Sequence, residues 1–220
     1  MLGLMAVAFA PATFAAEAWK AGTHYTVLPQ AQRTTVPAGK VEVLEVFSYG
    51  CIACNSFQPV MEILKSKLPK NAQMAYLHAS FNPSESWPVF QRAYITAQAL
   101  GVADKAHQGI FDAVWKTGEI GVVDQATHGL KKPQPTIEDV ARTYERLTGV
   151  KSSDFLAAAK SFGVDAKMRA ADAQVGAMQV PGTPTLVVNG KYRVNMDSVK
   201  SVDELVQLVD YLVTTESTKG

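Results

Sequence analysis

The chain of 220 residues holds two cysteines, Cys51 and Cys54, separated by Ile52 and Ala53. Two thiols at this spacing suit three roles: a structural staple, part of a metal site, or reversible thiol–disulfide exchange. A bridge across two intervening residues closes a very small loop and restricts the unfolded chain little, so a staple is a poor use of the pair. A tetrahedral zinc site takes about four ligands. There is no second cysteine pair, and His24, His78, His107 and His128 are scattered without ligand spacing, so no metal is expected. Exchange chemistry is left, and it demands surroundings that ionise one sulfur.

Those surroundings are legible on either side of the pair. Residues 41–47, Val-Glu-Val-Leu-Glu-Val-Phe, read as a central strand, nearly continuous in apolar residues as parallel strands buried on both faces are. Residues 51–68 carry Phe57, Val60, Met61, Ile63, Leu64 and Leu68 at helical spacing and stop near Pro69, with Pro59 expected to kink the helix. A Cys-x-x-Cys pair that opens a helix directly after a strand has the layout of a thioredoxin-type redox site. Unpaired amides and the macrodipole at a helix N-terminus stabilise an anion, which makes Cys51 the expected nucleophile. Cys54, one turn on and deeper, is expected to resolve the mixed disulfide.

The rest of the chain supplies a frame for that unit. A short strand is predicted over 23–28 and another over 72–78, so strand, helix and strand form a right-handed crossover. From 81 to 178 the pattern turns helical. Helices are predicted over 87–100, ending at Gly101, and over 103–115, followed by a Gly- and Pro-bearing loop over 118–135. A capping box, Thr136-Ile137-Glu138-Asp139, starts a helix that ends at Gly149, and two more follow over 153–161 and 164–178. Residues 185–188 and 192–194 read as strands around an Asn189-Gly190 turn. A second capping box, Ser201-Val202-Asp203-Glu204, opens a last helix expected to reach Leu212. Strands and a helix at each end, with helices between, imply one α/β domain over 19–80 and 179–220 that carries an all-helical insertion over 81–178.

Composition narrows the partners. A net charge of +1 without a basic stripe gives no support for nucleic-acid binding. A hydrophobic content of 47% fits a soluble body with a substantial core. Residues 1–18 differ: the first fourteen are almost wholly apolar, and Ala15, Ala16 and Ala18 offer the small residues that suit cleavage. This is the pattern of a secretory signal peptide and too short for a membrane span. No Lys or Arg precedes the apolar run, so either the true start lies upstream or the signal is atypical. No glycine-rich phosphate loop and no flavin or nicotinamide fingerprint is present, which leaves the disulfide itself as the expected redox group, without a cofactor.

Three stretches resemble the DsbA family of exported thiol:disulfide oxidoreductases. They are Val43-Leu44-Glu45-Val46-Phe47-Ser48, Ala97-Gln98-Ala99-Leu100-Gly101-Val102 and Val187-Val188-Asn189-Gly190-Lys191-Tyr192. The resemblance covers nearly the whole chain after residue 18 and implies a thioredoxin-like fold interrupted by a helical domain. It further implies a periplasmic, monomeric oxidase that introduces disulfides into newly exported proteins. Such an enzyme is reoxidised by a membrane quinone-linked partner of the DsbB type.

The resemblance also assigns roles. It places a cis-proline loop, here Thr183-Pro184, against the cysteine pair. A cis bond there turns the Thr183 backbone outward to pair with an extended substrate, and the Thr183 hydroxyl is free to donate to a sulfur. Glu45 matches an acidic position of the family. An unpaired carboxylate in a buried strand has a raised pKa, which suits a proton acceptor for Cys54. Two features depart from the best-known members: Ile52-Ala53 replaces Pro-His, and Thr183 replaces Val, as in disulfide isomerases. Ile52 and Ala53 bring no charge beside the substrate, so the low pKa of Cys51 is expected to rest on the helix terminus and backbone amides alone. The potential is then expected between the roughly −270 mV of thioredoxin and the roughly −120 mV of the strong family oxidant. Tyr49, Phe57 and Trp87 are candidates either for a groove rim or for the core. The alternatives are an isomerase or reductase of the same fold, a peptide-binding chaperone with a structural disulfide, or a glutathione-transferase relative.

Overall fold

Seven consecutive buried residues, Val41–Phe47, form β2, the strand on which the site is built. The computed structural model describes residues 19–124 and 126–218, so the signal-peptide reading of residues 1–18 lies outside the described residues. β2 runs parallel to β3 (Ala72–His78) and antiparallel to β4 (Thr185–Val188). β4 pairs antiparallel with β5 (Tyr192–Val194), and β5 with β1 (Tyr25–Val27), which gives the order β1-β5-β4-β2-β3. The continuous apolar run of β2 thus reflects helices on both faces of the sheet and not parallel partners on both sides.

β4 and β5 meet at Asn189-Gly190, both at positive φ (52° and 62°), as a two-residue hairpin of the primed type requires. Gly190 also lies against the chain: a Cβ there would stand 2.2 Å from the Gln32 carbonyl oxygen.

One face of the sheet is covered by α1 (Ile52–Lys67) and α7 (Val202–Ser217), through Val43, Met61, Leu64, Leu186, Leu208 and Leu212. On the other, Val175 of α6 (Phe162–Ala177) and Met178 just beyond it pack on Leu44, Val46 and Val187. Before α6 come α2 (Trp87–Ala99), α3 (Ala103–Phe111), α4 (Ile137–Thr148) and α5 (Ser152–Ala159). They enclose a core of Phe90, Phe111, Tyr144 and Phe155, and both cysteines belong to it, together with Phe47 and Tyr49. Among the described residues, five α-helices therefore fall between β3 and β4 of a thioredoxin-like fold. Cys51 and Cys54 sit where their core meets the C-terminal end of β2. No helix among the described residues is long and apolar enough to cross a membrane.

Two elements differ from the sequence expectation. The helix predicted over 103–115 changes character at Asp112, and Asp112–Lys116 form a π-helical turn closed by the Thr117 N–H on the Asp112 carbonyl. The wider turn aims Trp115 at the segment before Cys51, the kind of place where such turns recur. The last helix passes Leu212 and ends at Ser217. Glu216 in its final turn accepts from Asn189 Nδ2, Lys191 Nζ and the Tyr192 hydroxyl at 2.9, 3.0 and 2.6 Å. Burial opposes ionisation of Glu216, but these bonds, that of Tyr192 foremost, hold its carboxyl down to about 2. A helix end tied to a distant hairpin leaves no trace in local periodicity.

Candidate active site

Ser48 follows β2 and builds the turn into α1. Its carbonyl accepts from the Cys51 N–H and its hydroxyl oxygen from the Gly50 N–H, each at 3.1 Å. The turn delivers Cys51 to the N-cap of α1 with extended backbone, φ −95° and ψ 113°. Oxygen usually fills that capping role; here the Cys51 sulfur accepts from the Cys54 N–H at 3.3 Å. Gly50 is needed because the Trp87 indole packs onto it: a Cβ would stand 2.9 Å from Nε1.

The residue before Gly50 is held from three elements. The Tyr49 N–H donates to His78 Nε2 (3.1 Å), its carbonyl accepts from Trp115 Nε1 (2.8 Å), and its hydroxyl meets His107 Nδ1 (3.1 Å). His78 is bonded through Nδ1 to the Ala79 carbonyl at 2.8 Å, and burial pulls its pKa down to about 3. A neutral ring protonated at Nδ1 satisfies both bonds.

Both thiols are free; Cys51 is 8% exposed and Cys54 fully buried. The Thr183–Pro184 peptide is cis, and the Cys51 thiol donates to the Thr183 carbonyl at 3.4 Å. The two sulfurs are driven apart in acidity. Cys51 is brought down to about 6, first by the hydrogen bond from the Cys54 side chain, then, against burial, by the Thr183 side chain and the amides of Cys54 and Ala53. Burial, reinforced by the neighbouring Cys51 sulfur, pushes Cys54 far above an ordinary thiol. The expectation that backbone amides alone stabilise the Cys51 anion is therefore corrected: the inner thiol and Thr183 rank ahead of them, because both lie within reach of the same sulfur.

Glu45 lies on the face of β2 shared with Val43 and Phe47, beneath α1. It is fully buried, and neither carboxyl oxygen has a hydrogen-bond partner among the described residues. Burial pushes its pKa up to about 8, and the negative charge of Cys51 adds to the shift. At neutral pH it is a protonated acid in contact with the field of the thiol pair.

Ile52, 56% exposed, and Ala53 stand at the open end of α1, facing solvent. Thr183 and Pro184 are half-buried and line a groove of about 650 Å³ with Thr185, Arg193, Asn195 and Asp197. Of the three aromatic candidates, Tyr49 is fully buried core, Trp87 is buried beneath Gly50, and Phe57 is half-buried against the α1–α7 core. The exposed aromatic of this region is Phe81, which packs on Trp87 at 6.3 Å between ring centroids and was not singled out by sequence. Ser48, His78 and Trp115 also escaped the sequence reading. His78 carried one usable signal, since it closes the strand parallel to β2 and so comes level with the start of α1. His107 Nε2 is buried and has no hydrogen-bond partner among the described residues. No group of three His, Cys, Asp or Glu side chains among the described residues could hold a metal ion.

Known proteins are similar to this chain over most of its length. The thioredoxin family model matches residues 36–210. A thiol:disulfide interchange protein DsbA of Azotobacter vinelandii is 33% identical over 215 residues, which cover 98% of this chain and 90% of that protein. The crystal structure of Pseudomonas aeruginosa DsbA superimposes with a TM-score of 0.75 at 32% identity, covering 93% of this chain and 97% of that one. A Proteus mirablis DsbA solved with a non-covalently bound peptide, PWATCDS, gives a TM-score of 0.71 at 25% identity, over 90% and 99% of the two chains. Likeness of this extent spans the sheet and the helices between β3 and β4 together. The chain belongs to the DsbA family and is a thiol:disulfide oxidoreductase.

Proposed function

We propose that this oxidoreductase is a dithiol oxidase of exported proteins, with Cys51 as nucleophile and Cys54 as resolving thiol. The observation that carries the reading is the split between the sulfurs, with Cys51 near 6 and Cys54 driven far up. Stabilising the thiolate of the reduced form makes the disulfide more oxidising. In the oxidised enzyme a substrate thiolate attacks the Cys51 sulfur, a mixed disulfide forms, and the Cys51–Cys54 bond breaks with its electron pair on Cys54. Cys54 then takes a proton, which protonated Glu45 supplies through water. A second substrate thiolate attacks the substrate sulfur of the mixed disulfide, and Cys51 departs as a thiolate that is stable at neutral pH. Two substrate thiols are oxidised and the enzyme pair is reduced. Reoxidation reverses the proton flow, with Glu45 accepting from Cys54.

Thr183 and Pro184 form the substrate platform: the Thr183 backbone receives an extended peptide, and Ile52 and Ala53 flank its approach to Cys51. The peptide carried by the Proteus DsbA supports a peptide substrate for the family. The disulfide is the sole redox group in this reading, and a membrane quinone-linked partner of the DsbB type regenerates it. Residues 1–18 direct a monomer to the periplasm, residues 19–80 and 179–220 form the thioredoxin-like domain, and 81–178 the insertion, with α6 serving both cores. Retention of the first fifteen residues by a cytosolic protein would refute the export part.

The decisive test is a redox titration of Cys51–Cys54 against glutathione. The expected potential lies between roughly −270 and roughly −120 mV. A value at thioredoxin's end would move the protein to a reductase, and exchange retained by Cys51→Ala would remove the nucleophile assignment.

A further inference from the structure

The loop that carries Thr183 begins at a turn whose conformation its own residue does not favour. α6 is closed by the Gln179 N–H on the Gly176 carbonyl (2.9 Å) and the Val180 N–H on the Val175 carbonyl (3.3 Å). Gln179 stands at φ +50°, the left-handed position that glycine usually fills at such a helix end. A side chain there crowds the following carbonyl, which glycine avoids.

An external tie compensates. Arg193, in the middle of β5, donates through Nη1 to the carbonyl of Met178 at 3.4 Å and to that of Gln179. The planar guanidinium suits this task, since it presents its donors in a rigid fork where a lysine offers one point charge. Four residues after Gln179, the Thr183 carbonyl accepts from the Cys51 thiol. The Thr185 hydroxyl donates to the Gly182 carbonyl at 2.7 Å and anchors the far side of the loop. Val180, Pro181 and Gly182 are thus strung between two tethers, and the first of them is Arg193. Because β5 pairs with β4, and β4 with β2, the guanidinium refers the loop to the same sheet that presents Cys51.

We infer that Arg193 is a positioning residue for peptide substrates: it holds the Gln179 turn and so sets the place of the Thr183 backbone over Cys51. This rests on the reading above that the Thr183 backbone receives the substrate. Arg193 lines the same groove as Thr183 and Pro184, and its hydrogen bonds among the described residues go to the Met178 and Gln179 carbonyls and not to either sulfur. Its effect is exerted through the loop, so alignment of the peptide is what it controls.

The test is the steady-state oxidation of a two-cysteine peptide. Arg193→Met is expected to raise KM about tenfold while kcat stays within about twofold, as misplacement of a binding platform does. Adding Gln179→Gly, which adopts the left-handed turn unaided, is expected to return KM to within about twofold of the wild type. An unchanged KM in Arg193→Met, or a raised KM that Gln179→Gly leaves raised, overturns the inference. The parent reading is tested apart, on the wild-type enzyme: N-methylation of the peptide beside its reacting cysteine should weaken binding. If it does not, the Thr183 backbone is not the substrate platform, whatever the Arg193 variants do.

Discussion

Glu42 and Glu45 sit three residues apart on β2, each without exposed surface, one on either face of the sheet. On the α6 face, Glu42 accepts through Oε2 from the Thr35 N–H at 2.6 Å and the Thr35 hydroxyl at 2.8 Å. On the α1 face, Glu45 accepts from nothing among the described residues. The same residue type in the same strand is thus a tether on one side and an unsatisfied acid on the other. A buried polar group without a partner costs stability, on the order of 1–3 kcal/mol. The fold gives one oxygen of Glu42 two donors where it joins two segments, leaving its Oε1 without a partner, and gives Glu45 no donor at all under the thiol pair, where the proposed reaction hands over a proton. Glu45, with neither oxygen bonded, gives up more than Glu42, with one, which fits the proton role proposed for Glu45.

The comparison breaks most visibly at Glu45. Glu45→Gln keeps the shape and removes the titrating proton, so oxidation of a model dithiol, followed by stopped flow, should slow by about 10²-fold, the lower range for general acid–base assistance. Its pH dependence near 8, where the wild-type carboxyl titrates, should flatten. An unchanged rate and profile would end the proton role and leave Glu45 a mere cost.

Glu42→Ala should do the reverse. It strips the Thr35 N–H and hydroxyl of their acceptor and should lower unfolding stability by about 1–3 kcal/mol in urea titrations. Exchange rates should stay within about twofold, since a group that only tethers contributes nothing to the transition state.

The gentlest test is stability against pH. Glu45 is raised from 4.5 to about 8, so between those values the folded chain keeps a proton that the unfolded chain releases. Its contribution is complete below 4.5 and lost as pH rises through about 8. His78 is lowered from 6.5 to about 3, so its contribution is complete above 6.5 and lost as pH falls toward 3. Urea midpoints of the oxidised protein, in which neither cysteine titrates, should decline on both sides of this range, and Glu45→Gln should abolish the alkaline decline while sparing the acid one. An alkaline decline that survives in Glu45→Gln would place its origin elsewhere.

Much of the frame was legible because its signals are local. A strand followed by a cysteine pair and a helix, the Asn189-Gly190 turn, and the boxes at Thr136 and Ser201 each depend on residues within a few positions. The fold class followed from their order. Thr183-Pro184 came from likeness to a family and not from any local pattern, since the contact of Thr183 with Cys51 spans 132 positions. The bonds of Tyr49 to His78 and Trp115 span 29 and 66 positions, and the tie of Glu216 to Tyr192 spans 24. None of these leaves a periodic trace.

By itself the sequence determined that one cysteine opens a helix after a buried strand, and hence that its sulfur is the more acidic of the two. Helix termini and strand periodicity are short-range physics, carried by neighbouring residues. Only the tertiary structure decided how far the two sulfurs separate, because burial of Cys54, its bond to Cys51 and the Thr183 side chain act through space. The same holds for the two glutamates of β2. Sequence shows them as equals in an apolar run, and the distinction between a tether and the proposed proton store lies in what each face of the sheet brings within 3 Å.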